Sequence, residues 1–302
     1  MPALPCSCWT RSAPLLLVFL LALAACESPE APTEEAQVAG AIEQQVAEAT
    51  ERLSQSEGGE LVQRVIDAHG GLEAWYRAPT SSYTWEYANA DADLRFTSFL
   101  VADNQTRDVY HDLLVTGSYE DPDTVEARFA WDGQEAWIYP EDIERPNPAF
   151  WGISGYYFQQ IPFVLADPGV NYELLPDEEL NGTTYEMVRT YFGADVGASP
   201  GDSYTLYVHP ETGQVDAIRY TVSYGRDVPP NADLPETLLF YEDLVTVDGL
   251  MTATTYRGYD FTADGERGAF KNEAFADSLS FTRPFDRARL EAPEGARFVR
   301  PE

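Results

Sequence analysis

The sequence predicts a mainly β domain with a few short helices. Segments rich in aromatic and β-branched residues recur in two groups along the chain, with turn sequences between them. Asp132-Gly133, the loop 209–213 and Asp248-Gly249 join successive segments as tight hairpins. Successive hairpins produce an antiparallel meander rather than parallel β-α-β units, so we expect a single sheet of about 10–11 strands.

The two groups of predicted strands are defined by residue type. Partial alternation of apolar and polar positions is typical of half-buried strands, and an aromatic content of 13% favours β structure. The first group covers 83–87, 95–101, 106–114, 125–131 and 135–139. The second group covers 185–192, 204–208, 215–224, 238–247, 251–259 and a stretch around 276–281.

Two short helical segments are expected before the first strand. Leu61, Val65 and Ile66 recur at helical spacing, and two glycines at 70–71 end that segment. A second segment follows over 72–76. His69 stands at the end of the first segment, where a capping or packing role is expected rather than catalysis.

The residues before 57 differ in composition from the rest. Residues 27–56 are rich in Glu, Ala, Gln, Ser and Pro and contain no aromatic side chain. This composition is typical of disordered chain, so we expect 26–56 to be an acidic flexible tether and 57–302 to be the folded domain. A polar helix over 34–56, with an apolar face of small residues, is the alternative.

One apolar segment separates the two groups of strands. No charged residue occurs from 146 to 166, and Gly and Pro interrupt the segment too often for one long helix or strand. We interpret 148–166 as one or two short helices inserted across the sheet. These helices either fill the core of the domain or cover a binding cavity. The two interpretations overlap, because a helix that fills the core and can move aside would also act as a lid.

The N-terminus has the pattern of a secretion signal. Arg11 precedes an apolar run over 15–25, and two alanines stand directly before Cys26. The run is too short to span a bilayer, which needs roughly 20 residues. The sequence around Cys26 resembles the lipobox of bacterial lipoproteins, which implies removal of 1–25 and a lipid on Cys26. The two other cysteines lie within that signal, so no disulfide is expected.

The chain is strongly acidic. It has 51 Asp and Glu against 19 Lys and Arg, a formal net charge of −32, and Lys271 is its only lysine. Such a charge repels a phosphate polymer and excludes nucleic acid as a partner. Because the acids are dispersed along the chain, we interpret them as salt adaptation. A cation-binding surface is the alternative.

The sequence shows no arrangement of residues for catalysis or metal binding. None of His69, His111 and His209 has a partner at metal-ligand spacing, and there is no nucleophile elbow or phosphate-binding glycine loop. Closely spaced acids do not continue into a calcium-binding loop. We therefore expect no cofactor, no metal and no catalytic residue. A carboxylate-dependent hydrolase is the enzymatic alternative.

Aromatic side chains concentrate in the first strands and in the apolar segment. A curved sheet closed on one side by helices either fills its concave face with such side chains or leaves a cavity lined by them. A ligand-sized apolar cavity is the form that binding sites for apolar molecules take. A filled core is the alternative for each residue. For a cavity, we expect the lining to include Trp85, Phe96, Trp131, Trp137, Phe158 and Phe163.

Three stretches resemble one family. Residues 69–75, His-Gly-Gly-Leu-Glu-Ala-Trp, lie directly before the first strand, and 156–169 form the centre of the apolar segment. Trp131-Asp132-Gly133 precedes a strand that contains tryptophan. Their order, together with the lipobox, resembles the LolA-like periplasmic and outer-membrane lipoproteins over residues 57–284. This resemblance implies an unclosed antiparallel half-barrel, or curved sheet, wrapped on short helices.

The resemblance also implies a function and a location. Better-known members of the family hold lipids or acyl chains in an apolar cavity, so we expect a non-enzymatic, lipid-anchored protein that binds an apolar molecule in its concave face. The cavity arginine of LolA has no matching position in this chain. In enteric bacteria, an Asp directly after the lipid-bearing cysteine retains a lipoprotein in the inner membrane. This chain has Glu27 at that position, so we expect it in the outer membrane, facing the periplasm. A scaffold that binds another envelope protein is the second hypothesis.

Overall fold

A computed structural model describes residues 33–193, 201–226, 234–262 and 267–300. Within these residues one antiparallel sheet contains 13 strands, and a two-stranded ribbon stands apart from it. The mainly β fold is therefore confirmed, with more strands than the residue pattern indicated. The added strands include Val170–Leu180 and Arg297–Val299, which are the two edges of the sheet.

The helices and strands follow one another in a simple order. The helices are α1 (Glu34–Leu53), α2 (Glu57–Ala68), α3 (Gly71–Arg77) and α4 (Pro148–Gln160), with 3₁₀ turns at Phe163–Ala166 and Arg287–Leu290. The first strands are β1 (Thr80–Asn89), β2 (Leu94–Asp103), β3 (Val109–Gly117), β4 (Pro122–Trp131) and β5 (Ala136–Tyr139). The later strands are β6 (Val170–Leu180), β7 (Thr183–Phe192), β8 (Ser203–Val208), β9 (Val215–Tyr220), β10 (Thr237–Glu242), β11 (Val245–Val247), β12 (Leu250–Thr252), β13 (Thr255–Phe261), β14 (Arg267–Ser280) and β15 (Arg297–Val299).

The large sheet consists of two meanders joined in the middle. Its strand order is β15-β5-β4-β3-β2-β1-β14-β13-β10-β9-β8-β7-β6, so the pairing of β1 with β14 connects the first group of strands to the second. The outer strands β15 and β6 do not pair with each other. In β6 the register shifts between Leu175 and Glu178, around Pro176, as is typical of an edge strand. The sheet is therefore unclosed.

The hairpin loops lie where the turn residues predicted them. Asp132-Gly133 connects β4 to β5, and the loop 209–213 connects β8 to β9. Asp248 and Gly249 have φ angles of 51° and 87°, which suits a two-residue hairpin loop. They connect β11 to β12 in the small ribbon rather than two strands of the large sheet.

Both faces of the sheet are covered. The main core lies on the concave face, where Leu100 and Ala102 of β2 pack with the helices. Val101 between them points to the opposite, convex face and packs under the C-terminal segment that includes Phe285 and Leu290. A further apolar cluster around Tyr207 lies on the other half of the sheet. Two covered faces explain why the strands alternate only partially in polarity.

Helix α1 corrects the expectation of a flexible tether. Ala49 and Leu53 are completely buried in the main core, and the Arg52 guanidinium donates a hydrogen bond of 2.9 Å to the carbonyl oxygen of Ala166. The small residues that indicated a weak apolar face let α1 pack closely on α2 and α3. The signal and Cys26 lie outside the described residues. In the described part of the chain, no helix is long and apolar enough to cross a bilayer.

Helix α4 occupies the apolar segment and lies against the first half of the sheet. Asn147 caps its N-terminus by accepting a hydrogen bond from the Ala149 amide, and α4 contacts β3, β4 and β5. Two glycines face the sheet. A Cβ at Gly152 would lie 2.7 Å from Cβ of Trp131, and one at Gly155 would lie 3.4 Å from the Trp85 indole nitrogen. The glycines therefore set how closely α4 approaches the strands.

The substitution Gly152→Ala tests this close approach. We expect it to lower the free energy of unfolding by about 1–3 kcal/mol, because the added methyl overpacks the contact with Trp131. Gly40→Ala is the matched control, since Gly40 lies in α1 with no atom within 4 Å of an added Cβ. That change is expected to stabilise the helix by about 1 kcal/mol. Urea unfolding measures both, and equal stabilisation by the two substitutions would contradict this packing.

Candidate functional site

A cavity of about 580 Å³ lies between α4 and the second half of the sheet. Ile153, Tyr157 and Phe158 of α4 form one wall, and Phe192 of β7 and Tyr204 of β8 lie on the other side. The size falls within the range of about 300–1,000 Å³ that is typical of small-molecule sites, and the lining is mostly apolar. The remaining lining residues are Thr106, Arg107, Trp131, Gly133, Gln134, Ala149, Phe150, Ser154, Val164, Asp167, Pro168, Val170, Asp202, Thr221, Val222 and Tyr224.

The two sides of α4 explain why the cavity exists. Gly152 and Gly155 allow one side to approach the first half of the sheet closely, while the other side carries bulky residues such as Tyr157 and Phe158. The helix packs closely on the first half of the sheet and reaches the second half through bulky side chains such as Phe158, whose ring centroid lies 4.7 Å from that of Tyr220. The space on the side of Tyr157 and Phe158 is the cavity.

A buried histidine holds α4 in place. Nε2 of His111 lies 3.1 Å from the carbonyl oxygen of Gly152, and Nδ1 lies 3.1 Å from the Ser98 hydroxyl. A carbonyl oxygen only accepts, so Nε2 carries the proton and Nδ1 accepts from Ser98. The ring stacks on Phe129 with centroids 4.0 Å apart. Burial lowers the pKa of His111 to about 3, which keeps the imidazole neutral at ordinary pH.

An ion pair forms the polar end of the cavity. Arg107 lies in the β2–β3 hairpin, and its Nη2 donates to both carboxylate oxygens of Asp167 at 2.8 and 2.7 Å. The same guanidinium donates to the Tyr156 hydroxyl and to the carbonyl oxygen of Asn104. Burial raises the pKa of Asp167 above its ordinary value, and the Arg107 charge offsets part of that rise. The pair therefore presents no net charge to the cavity.

A second carboxylate lines the same cavity and is also engaged. Oδ1 of Asp202 accepts hydrogen bonds from the amide and the hydroxyl of Ser223 at 2.6 and 2.7 Å. Burial raises the pKa of Asp202. Both carboxylates of the cavity are therefore held by donors of the protein itself. Among the described residues, no group of three or more His, Cys, Asp or Glu is placed to hold a metal ion.

A smaller cavity of about 230 Å³ adjoins the first. Phe150, Phe158 and Val222 line both cavities. Trp85 and Tyr256 also line the smaller one, and their ring centroids lie 5.1 Å apart. An apolar wall of three side chains therefore separates the two cavities.

Three of the predicted ligand-binding residues line these cavities. Trp131 lines the larger cavity, Trp85 lines the smaller one, and Phe158 lines both. The other two concave-face residues are packed in the core. Phe163 stacks on Trp75 at 5.1 Å, and Phe96 lies 5.0 Å from the Trp151 ring.

Three predicted site residues, Phe96, Phe163 and Trp137, line neither cavity, and of these Trp137 lies on the other face of the sheet. It points to the convex face, where it packs with Val101 and Tyr110 under the C-terminal segment. Its indole nitrogen donates a hydrogen bond of 2.7 Å to the carbonyl oxygen of Leu290. The neighbouring Ile138 is the residue of β5 that faces the main core. Because both residues are buried, hydrophobicity alone did not distinguish the two faces.

Several lining residues were missed because they lie in the second half of the sheet. Tyr204 and Tyr220 are direct partners across β8 and β9, and Phe192 ends the next strand. The two strands were predicted as a hairpin. Placing their residues opposite one another in that hairpin would have paired the two tyrosines and indicated a shared aromatic surface. Arg107 and Asp167 had no such signal, since 60 residues separate them in the chain.

These features define an unclosed β half-barrel that holds an uncharged helix and a ligand-sized apolar cavity in its concave face. No protein-family model and no curated protein matches the sequence. Among solved structures, a DUF1329 family protein from Desulfovibrio piger aligns with a TM-score of 0.51 and 11% identity, over 78% of this chain and 98% of that one. At this identity the likeness shows the fold alone.

Two further solved structures align at lower scores. A LolA superfamily protein from Nitrosomonas europaea has a TM-score of 0.49 and 9% identity, over 78% of this chain and 97% of its own. A putative outer membrane lipoprotein-sorting protein domain from Vibrio parahaemolyticus has a TM-score of 0.44 and 13% identity, over 82% and 97%. The architecture that the sequence resemblance implied, an unclosed antiparallel sheet with short helices packed on it, is confirmed.

The buried His111 makes stability depend on pH. The unfolded chain binds this proton below pH 6.5, whereas the folded chain binds it only near pH 3. Lowering the pH from 7 to 5 is therefore expected to reduce the free energy of unfolding by about 2 kcal/mol through this group. Urea unfolding at the two pH values measures the loss.

His111→Gln isolates the contribution of this group. The variant is expected to lose less stability than the wild type between pH 7 and pH 5, because Gln does not titrate. His209→Gln, in the β8–β9 loop, is the control and is expected to keep the wild-type pH dependence. An unchanged pH dependence in His111→Gln would show that His111 is not the group responsible.

Proposed function

We propose that the protein is a non-enzymatic binder of a lipid, an acyl chain or another apolar molecule, held in the cavity between α4 and the second half of the sheet. The observation that carries this proposal is the cavity of about 580 Å³, whose wall on the α4 side includes Ile153, Tyr157 and Phe158. Burying a chain there contributes about 0.8 kcal/mol for each methylene group, so binding needs no reactive group.

The polar groups of the cavity suit binding rather than catalysis. The hydrolase alternative requires a carboxylate that acts on a substrate, and Asp167 and Asp202 are the two acids in the lining. Asp167 is engaged by Arg107, and Asp202 is engaged by Ser223. Breaking either arrangement leaves a buried charge with fewer partners, which opposes its use as a general acid or base.

We further propose that a lipid on Cys26 anchors the domain in the bacterial cell envelope, with the outer membrane as the location. The argument rests on the lipobox-like sequence. Because α1 begins at Glu34 and is packed on the domain, the chain from Cys26 to Thr33 is the only connection available to the anchor. The roughly seven Cα–Cα steps from Cys26 to Thr33 span at most about 25 Å, which keeps the domain close to the bilayer surface.

Cys26→Ser tests the anchor. The variant is expected to leave the membrane fraction and to appear in the detergent-free extract of the envelope, because it lacks the thiol that receives the lipid. Ser28→Cys is the control, since it alters the same segment and keeps Cys26. Cell fractionation with immunoblotting measures the distribution. A Cys26→Ser protein that still requires detergent would contradict the anchor.

Val222→Trp tests the cavity as the binding site. Val222 lines both cavities, so a larger side chain there occupies space that a ligand needs. We expect affinity for an apolar fluorescent probe to fall at least about tenfold, which corresponds to about 1.4 kcal/mol. Val38→Trp is the matched control, because Val38 is exposed on α1.

The same variants separate ligand binding from the scaffold hypothesis. Probe titration, with far-UV circular dichroism to verify folding, gives the affinities. Folded Val222→Trp that binds the probe as the wild type does would contradict the cavity as the site. A scaffold needs an external surface, so blocking the cavity would leave partner capture from crosslinked membranes unchanged.

A further inference from the structure

We propose that the smaller cavity binds the anionic head of a single-chain amphiphile, whose chain extends along the shared wall toward the larger cavity. The inference rests on the proposed function and names the ligand class. The head is a carboxylate or a phosphate at the rim formed by Lys271 and Arg226, and the tail is an unbranched apolar chain.

The distribution of charge singles out this cavity. Lys271 is the only lysine in a chain of net charge −32, and it lines the smaller cavity together with Arg226. No Asp or Glu is among the described residues that line it. The larger cavity has two acids, Asp167 and Asp202, against one arginine. An anion is therefore favoured in the smaller cavity and opposed in the larger one.

Irregular strand pairing brings Lys271 to the rim. Gly258 of β13 pairs with Asn272, and the next residue, Tyr259, pairs with Phe270, so Lys271 is the extra residue of a bulge in β14. Bulges re-aim side chains and occur often beside binding sites. As a result the consecutive residues Lys271 and Asn272 both line the cavity, whereas a regular strand would direct them to opposite faces.

Gly258 makes room for the second of these side chains. A Cβ at that position would lie 2.4 Å from Oδ1 of Asn272. Tyr220, Thr237 and Asn272 form the polar side of the cavity lining. The Lys271 ammonium lies 3.4 Å from the Thr237 hydroxyl and 3.1 Å from Asp260. Asp260 is half exposed, so this ion pair is weak and an anionic head competes with it.

The rest of the lining suits the first part of an apolar chain. Trp85, Tyr256 and Phe158 form the aromatic interior, and the Trp85 indole nitrogen is buried without a hydrogen-bond partner among the described residues. The volume of about 230 Å³ is small for a complete amphiphile. Phe150, Phe158 and Val222 also line the larger cavity, so the chain has apolar contact in that direction.

Matched ligands and variants test the head-group site. Dodecanoate, dodecyl phosphate and dodecanol share one chain and differ only in the head. By isothermal titration calorimetry, we expect the two anions to bind the wild type roughly tenfold more tightly than the alcohol, because a charge-assisted contact with Lys271 is added. Lys271→Gln is expected to remove this preference, and Lys271→Arg is expected to keep it. Arg64→Gln removes one exposed positive charge elsewhere and is expected to change nothing.

The outcomes separate this inference from the proposed function. Equal binding of dodecanol and both anions to the wild type, or a preference that persists in Lys271→Gln, overturns the head-group site and leaves apolar binding intact. If none of the three ligands binds, both proposals are contradicted. Tighter binding of dodecanoate identifies a fatty-acid-like ligand, and tighter binding of dodecyl phosphate identifies a lipid phosphate.

The only lysine of the chain provides a second measurement. An amine-reactive acetylating reagent modifies Lys271, and peptide mass spectrometry follows that one site. Dodecanoate is expected to slow this acetylation severalfold, whereas dodecanol leaves its rate closer to that of the protein alone. Equal rates with and without dodecanoate, at concentrations that calorimetry shows to be saturating, overturn the placement of the head at Lys271.

Discussion

The contact between α4 and the first half of the sheet is the interaction on which the rest of the structure depends. Two glycines allow the helix to approach Trp131 and Trp85, and a neutral buried His111 binds the Gly152 carbonyl in the middle of the helix. The helix packs closely against the first half of the sheet and contacts the second half through bulky side chains such as Phe158, which leaves space beside them. The cavity follows from this asymmetric placement, and the uncharged sequence of α4 makes its wall apolar.

The charged side chains that line the larger cavity are all bound by other groups of the protein. The cavity therefore presents no unpaired charge to a ligand. Arg107 and Asp167 neutralise each other at one end, and Asp202 is held by Ser223. The adjoining cavity differs, because Lys271 and Arg226 lie at its rim and no Asp or Glu is among the described residues that line it. In a chain of net charge −32, the two cavities therefore offer an amphiphile different environments for its head and its tail.

Sequence reasoning predicted the fold class well because hairpin turns and an uncharged, glycine-interrupted segment are local signals. It failed where burial comes from elements distant in sequence. Trp137 was assigned to the wrong face because the C-terminal segment buries the convex side as well, and α1 was taken for a tether because its buried face consists of small residues. The pairing of Arg107 with Asp167 and the bulge at Lys271 depend on tertiary contacts and strand register, which no local pattern encodes.

The central claim is that the concave face holds an apolar ligand. Native mass spectrometry of the protein, isolated gently from the cells that produce it, tests this claim most directly. We predict a population heavier than the ligand-free protein by the mass of one apolar molecule, which organic solvent removes. A single mass equal to that of the ligand-free protein, unchanged after incubation with a saturating single-chain amphiphile, would contradict the claim.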